Sequence, residues 1–189
     1  MVSGRVFQFR TDAPEDDVAL VARARDGDRD AQDRLLRRYL PEVHALTRRL
    51  LHDPELAADA AQDALVNALT GLSGFRGDAS FRTWILRIAA NAAHSAGRRR
   101  GRRREVDLDG VEETAGSEPD PYHTAAARIE AERATRMLQK LPPKQRLAVT
   151  LRVSHGLSYA EASQVMKCSE GAARVNYHLG IRKLRELLA

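Results

Sequence analysis

The sequence of 189 residues has little that would support disulfide bonding, metal binding or catalysis. Its one cysteine, Cys168, excludes an internal disulfide framework and a thiolate-rich zinc site. The six histidines lack the i, i+4 spacing beside a carboxylate that a helical metal site requires, and no glycine-rich phosphate loop or G-x-S-x-G elbow occurs. We therefore expect a protein that is not an enzyme and that uses no metal or cofactor.

Long hydrophobic runs are also missing. The apolar stretch from Trp84 to Ala93 is interrupted by Arg87 and Asn91, well before the roughly 20 residues that a bilayer requires. Residues 1–13 contain no apolar segment of the kind found in secretory signals. We expect a cytoplasmic protein that does not insert into a membrane.

The positive charge is carried almost entirely by arginine. Lys and Arg total 31 against 26 Asp and Glu, and only four of these cations are lysines. The planar guanidinium group suits phosphates and base edges, so the charge favours a nucleic-acid partner. A genome rich in arginine codons would explain part of this count, so the positions of the arginines matter more than their number.

The charges are segregated along the chain. Six arginines lie between residues 98 and 104, and the segment from Glu105 to Ala127 then contains seven carboxylates and no Lys or Arg. Its Gly and Pro residues and its low apolar content predict a flexible acidic linker, which we assign to residues 101–127.

On both sides of this linker, apolar residues recur at three- and four-residue steps, without β-alternation of comparable length. We predict an all-α protein made of two small helical domains joined by the acidic linker. The first domain spans residues 16–100 and has about four helices, and the second spans residues 128–189. Residues 1–15 form an N-terminal tail of unassigned role.

The second domain has the layout of a helix-turn-helix module. Ser158 and Ser169 are predicted to cap two short helices, and Ala162 supplies a small residue where they cross. Polar side chains on the second helix could bond phosphates or base edges, namely Arg174, Asn176, His178 and Arg182. A plain helical hairpin with a solvated face has the same spacing.

The end of the first domain combines aromatic rings with arginines. Unpaired bases stack on aromatic rings while arginines hold phosphates, so this combination suits single-stranded DNA. We interpret Trp84 as a core residue, whereas Phe75 lies in a predicted loop and could face a base. On an earlier helix, a polar stripe containing Asp59 and Asp63 would by spacing alone be a solvated face.

Three runs of the sequence resemble bacterial sigma factors of the extracytoplasmic-function (ECF) group. Region 2 of these proteins is similar to the runs GDRDAQDRLLRRYLPEVHALTRRLLHDPELAADAAQDALVNAL and GFRGDASFRTWILRIAANAAHSAGRRR. Region 4 is similar to LPPKQRLAVTLRVSHGLSYAEASQVMKCSEGAARVNYHLGIRKLRELL. The resemblance spans about residues 16–100 and 128–188, in that order. It implies a subunit that binds core RNA polymerase, reads the minus-thirty-five promoter element with region 4 and melts the minus-ten element with region 2.

The resemblance also assigns residues to these contacts. Core polymerase binding falls on Asp59, Gln62, Asp63 and Asn67. Minus-ten DNA binding falls on Phe75, Arg76, Ser80, Phe81, Arg82, Trp84, Arg87, Asn91, Arg98 and Arg99. Minus-thirty-five binding falls on Ser169, Glu170, Gly171, Ala172, Arg174, Val175, Asn176, His178 and Arg182. An anti-sigma factor is a further partner that the resemblance implies.

Two other functions fit a helical protein of this composition. A stand-alone helix-turn-helix regulator with a helical dimerisation or ligand domain would bind duplex DNA tightly by itself. A small helical enzyme has little support, because no nucleophile, base and orienting group can be assembled from the sequence. For the acidic linker, occupation of a basic polymerase channel and service as an inert tether both stay open.

Overall fold

The computed structural model describes residues 16–106 and 125–188, and it describes side chains within 16–102 and 132–188. All regular structure within these ranges is helical, as predicted. The α-helices are α1 (Asp17–Arg25), α2 (Arg29–Leu50), α3 (Pro54–Gly71), α4 (Phe81–Val106), α5 (Ala125–Gln139), α6 (Pro143–Val149), α7 (Tyr159–Met166) and α8 (Glu170–Leu188). The N-terminal tail and most of the acidic linker lie outside the described residues.

Helices α1 to α4 form the first body, whose helix ends follow local sequence signals. The Asp53 side chain accepts hydrogen bonds from the backbone N–H groups of Glu55 and Leu56 at 2.9 and 3.2 Å, and Pro54 occupies the first turn of α3. The fully buried side chains include Leu35, Leu46 and Ile85. This core fixes the outward faces of α3 and α4.

Helix α4 is longer than the sequence predicts. It continues to Val106, six residues past the predicted end of the first domain at residue 100. Arginine is a good helix former, so the basic run extends the helix and does not begin the linker. No helix within the described residues is both long enough and apolar enough to cross a membrane.

Helices α5 to α8 form the second body and include the predicted helix-turn-helix. Ser158 and Glu161 make a reciprocal capping box at the start of α7. The turn between α7 and α8 places Lys167 in the left-handed region at φ 51°, a conformation that costs a residue with a Cβ about 1–2 kcal/mol. A Cβ at Gly180 would lie 2.6 Å from Val149 Cγ2, so α8 packs directly on α6.

The two bodies pack against each other, which the sequence does not predict. Leu151, Leu157 and Val165 of the second body belong to the same buried cluster as Phe81 and Ile85 of the first. Arginine and glutamine side chains reinforce this packing at the C-terminal end of α2. Arg146 Nη1 donates to the Leu50 carbonyl at 2.6 Å, and Gln139 Nε2 donates to the Arg49 carbonyl at 3.0 Å.

Candidate nucleic-acid interface

The polar stripe on α3 is an exposed face beside an open depression. Its four residues assigned to polymerase binding, Asp59, Gln62, Asp63 and Asn67, are all exposed. They line a depression of about 670 Å³ between α3 and α4 that also includes Leu56, Val66 and Arg99. Val66 is 53% exposed, so apolar surface adjoins the carboxylates. Such a mixed surface suits a protein partner better than a uniformly solvated face would.

Alanines hold α3 close to α4 and so set the shape of this face. Ala57 and Ala60 of α3 pack with Ala93 and Ala96 of α4, and all four are buried. Side chains this small let two helix backbones approach closely, so the longer polar side chains beside the contact line stand outward. The buried alanines therefore determine where the polar stripe of α3 lies relative to α4.

The aromatic residues assigned to minus-ten DNA form a packed cluster. The ring centroid of Phe75 lies 5.6 Å from that of Phe81 and 5.2 Å from that of Trp84, and Tyr39 packs on Phe81 at 5.3 Å. Phe75 is only 8% exposed and Phe81 is 5% exposed. Since a buried ring has little free face for a base, the loop position of Phe75 does not give it the accessibility that the sequence suggests. Trp84 packs against this core, as the sequence indicates.

The polar residues assigned to minus-ten DNA are more accessible. Arg76, Ser80, Asn91, Arg98 and Arg99 are exposed, and Arg82 and Arg87 are partly exposed. Ser80 Oγ also accepts from the backbone N–H of Thr83 at 3.1 Å, so it caps α4. A second depression brings Asn91 and Arg99 together with Asp63 and Asn67. Two residues assigned to DNA, Asn91 and Arg99, therefore meet residues assigned to polymerase in the groove between α3 and α4.

Arg82 is held in a contact between the two bodies. Its Nε donates to both carboxylate oxygens of Glu42 at 2.8 and 3.0 Å, and its Nη2 donates to the His155 carbonyl at 2.7 Å. The His155 ring, whose side chain is 3% exposed, places Nδ1 3.5 Å from Glu42 Oε2. His155 and Arg82 lower the pKa of Glu42 to about 2 by hydrogen bonds and opposite charge.

On the second body, Arg174 stands at the centre of a small cluster. Its Nη2 donates to Glu170 Oε1 at 3.1 Å, and its guanidinium carbon lies 4.8 Å from the ring centroid of Tyr159. Arg152 lies over the same ring at 4.3 Å. Two cations thus share one aromatic ring at the start of α7, next to the exposed face of α8.

The other residues assigned to minus-thirty-five DNA differ in accessibility. Gly171, Val175, His178 and Arg182 are exposed, whereas Ala172 and Asn176 are partly buried. Ser169 Oγ accepts from the Ala172 backbone N–H at 3.2 Å and caps α8, as predicted. Asn176 Nδ2 donates to the Ala172 carbonyl at 2.8 Å, so its amide is directed back along its own helix.

Several residues at the contact between the two bodies could not be identified from the sequence. Glu42, Gln139, Arg146 and His155 meet partners that are up to 113 residues away, so no spacing rule connects them. In the described part of the chain, no cluster of three His, Cys, Asp or Glu side chains is placed to hold a metal.

Comparison with protein families matches both bodies. The family model for Sigma-70 region 2 matches residues 35–103, and the model for Sigma-70 region 4 matches residues 131–184. The RNA polymerase sigma-H factor of Pseudomonas aeruginosa is 37% identical over 168 residues, which are 85% of this chain and 87% of that protein. The ECF RNA polymerase sigma-E factor of Escherichia coli K12 is 34% identical over 166 residues, which are 84% and 86% of the two chains.

Two solved structures are similar to the fold described above. The structure of CnrH in complex with the cytosolic domain of CnrY has a TM-score of 0.68 and 28% identity, covering 91% of this chain and 96% of that one. The sigma factor RpoE of Bartonella quintana, in complex with the anti-sigma factor NepR, has a TM-score of 0.68 and 25% identity, covering 81% and 93%. The chain therefore belongs to the sigma-70 family of RNA polymerase sigma factors, in its ECF group.

Proposed function

We propose that the chain is a non-enzymatic initiation factor that joins core RNA polymerase through α3 and promoter DNA through α4 and α8. In this proposal, residues 16–100 are the unit for polymerase and minus-ten binding and belong to the body formed by α1–α4. Residues 128–189 are the unit for minus-thirty-five binding, and helices α5–α8 supply its described part. The observation that supports this most is that the three assigned residue sets lie largely on exposed faces of α3, α4 and α8.

Polymerase binding is assigned to the groove between α3 and α4. Asp59 and Asp63 supply negative charge and Val66 supplies exposed apolar area, a combination that fits a partner helix with basic and apolar side chains. Arg99 Nη2 lies 3.4 Å from Asp63 Oδ2 across this groove. A bound partner would therefore compete with Arg99 for Asp63.

Minus-ten melting has to be driven by binding energy, because the chain brings no energy source of its own. Extruding a base costs a few kcal/mol, and contacts with the polar residues between α3 and α4 and along α4 would offset this cost. With Phe75 and Phe81 buried, hydrogen bonds and phosphate contacts from Arg76, Asn91 and Arg98 carry more of the task than ring stacking.

An anti-sigma factor is proposed as a second partner. RpoE, whose structure was solved in complex with the anti-sigma factor NepR, is similar to this chain over 81% of the chain's length. A partner that favours the packed arrangement would keep Arg82 engaged with His155 and unavailable to DNA. A small protein that co-purifies with the tagged chain from unstressed cells, and that represses transcription when added back, is the expected inhibitor.

A binding experiment tests the polymerase assignment. The double variant Asp59→Asn, Asp63→Asn is compared with Asp30→Asn, Asp33→Asn, whose carboxylates lie on the exposed side of α2. Titration of the labelled chain with purified core polymerase is expected to show at least about a tenfold loss of affinity for the first variant and none for the second. Equal affinities for both variants would contradict the assignment.

The stand-alone regulator makes the opposite predictions. It would bind a specific duplex tightly in the absence of polymerase and would do so as a dimer. Sedimentation of the free chain with and without promoter duplex separates the two functions. A monomer with weak duplex binding supports the initiation factor, and a dimer with tight duplex binding contradicts it.

A further inference from the structure

The outward face of the first turns of α8 has few polar side chains that are free to read bases. Arg174 is paired with Glu170 and lies over the Tyr159 ring. His178 packs edge-on against the Tyr177 ring at 5.3 Å and tilted against the Tyr159 ring at 6.4 Å. Between Arg174 and His178 on this face stands Val175, which is 57% exposed.

Asn176 does not supply the missing polar contact. Its amide nitrogen donates to the Ala172 carbonyl at 2.8 Å and the side chain is partly buried. Turning the amide outward would break this bond, and the Asn176 amide nitrogen and the Ala172 carbonyl would each lose a hydrogen-bond partner. An apolar group is thus left in the position where a recognition helix presents its side chains.

The surroundings of Val175 fit duplex DNA. Gly171 has open space around the position of a Cβ, and Ala172 has a small side chain, so the start of α8 is thin enough to enter a groove deeply. Arg182 is exposed seven residues, about two helical turns, after Val175, so it lies on the same face of α8 and complements the charge of a flanking phosphate. An isolated exposed valine is common on protein surfaces, but this one lies near the thin start of α8 and shares a helix face with Arg182.

The major groove offers one main apolar target on its floor, the C5 methyl group of thymine. Valine neither donates nor accepts a hydrogen bond, so methyl contact is the specific readout it can give. We propose that Val175 reads a thymine in the minus-thirty-five element by packing against its C5 methyl group. This inference rests on the proposed function, because it requires α8 to enter the major groove of the promoter.

The test removes the methyl group from the DNA and the valine from the protein. Holoenzyme assembled from the full chain and core polymerase first selects its promoter from a pool of random duplexes. Each thymine of the selected minus-thirty-five element is then replaced in turn by deoxyuridine, which lacks only the C5 methyl. Affinity is measured by competition for wild type, Val175→Ala and the control Val153→Ala, whose valine is 63% exposed in the same body.

One thymine is expected at which deoxyuridine lowers the affinity of wild type roughly fourfold, the factor that burial of one methyl-sized group supplies. The loss should persist in Val153→Ala and disappear in Val175→Ala. A selected element without thymine, a wild type that tolerates every deoxyuridine, or an undiminished loss in Val175→Ala would overturn the inference while the initiation function stands. Failure to select any promoter would instead overturn the proposed function and this inference with it.

Discussion

The Arg82 guanidinium lies 2.7 Å from the carbonyl oxygen of His155, which is 73 residues away in the chain and belongs to the other body. Glu42 completes the contact, with its carboxylate between the Arg82 side chain and the His155 ring. Because Arg82 is also assigned to minus-ten DNA, its contacts with Glu42 and His155 in the packed arrangement would compete with a contact to DNA.

Replacing Glu42 with Gln should weaken the packing of the two bodies. The change removes the charge that pairs with Arg82 but keeps the size of the side chain. Dyes are attached at two exposed positions through Asp33→Cys and Arg185→Cys in a Cys168→Ser background. Single-molecule energy transfer should then show a larger fraction of molecules in which the two dyes are far apart. Glu55→Gln, at an exposed position on α3, should leave the distribution unchanged. Identical distributions in E42Q and wild type would rule out a role for this contact.

The same carboxylate predicts a pH dependence of stability. The pKa of Glu42 is about 2 in the folded chain against an ordinary value of 4.5. A depressed folded-state pKa stabilises the protein above pH 4.5, and this contribution is lost as the pH falls toward 2. The difference in urea midpoint between wild type and E42Q should therefore be constant near neutral pH and shrink between about pH 4.5 and 2. A difference that grows on acidification would contradict this.

Arg146 should be important for the stability of the packed chain. Besides Leu50, its guanidinium donates to the carbonyls of Leu138, Gln139 and Leu141 at 3.0–3.1 Å. Arg146→Met leaves these acceptors without their charged donor and should lower the free energy of unfolding by about 2–3 kcal/mol. Urea titration measures the loss, and Arg185→Met at an exposed position of α8 is the control. Equal free energies for the two variants would show that the carbonyls do not depend on Arg146.

Phe75 and its neighbour Arg76 should behave in opposite ways. Phe75→Ala removes a buried ring from the aromatic cluster and should destabilise the chain by about 3–5 kcal/mol. Arg76→Ala changes an exposed side chain, so the free energy of unfolding should stay within about 0.5 kcal/mol of wild type. The affinity of the holoenzyme for fork DNA, a duplex that is melted at the minus-ten element, should fall. Thermal unfolding and fork binding measure the two effects. A stable Phe75→Ala with lost fork binding would instead indicate direct stacking of the ring on DNA.

Local signals in the sequence predict much of the fold. Asp53, Ser158 and Ser169 cap the helices that follow them. These features depend on residues only a few positions apart. The predicted two-body organisation likewise follows from composition and periodicity.

Contacts between residues that are distant in the chain could not be predicted from the sequence. The approach of His155 to Arg82 and the burial of Phe75 depend on packing that hydrophobic periodicity does not encode. The assigned polymerase and DNA contacts on α3, α4 and α8 came from family resemblance, since the spacing of Asp59 and Asp63 alone indicated only a solvated face. Those contacts remain predictions.

The central claim is that this chain directs core RNA polymerase to specific promoters. Run-off transcription with the purified full chain, purified core polymerase and a library of genomic fragments tests it most directly. Discrete transcripts are expected that require the chain and share one pair of upstream elements. An absence of chain-dependent start sites, with polymerase that responds normally to another sigma factor, would contradict it.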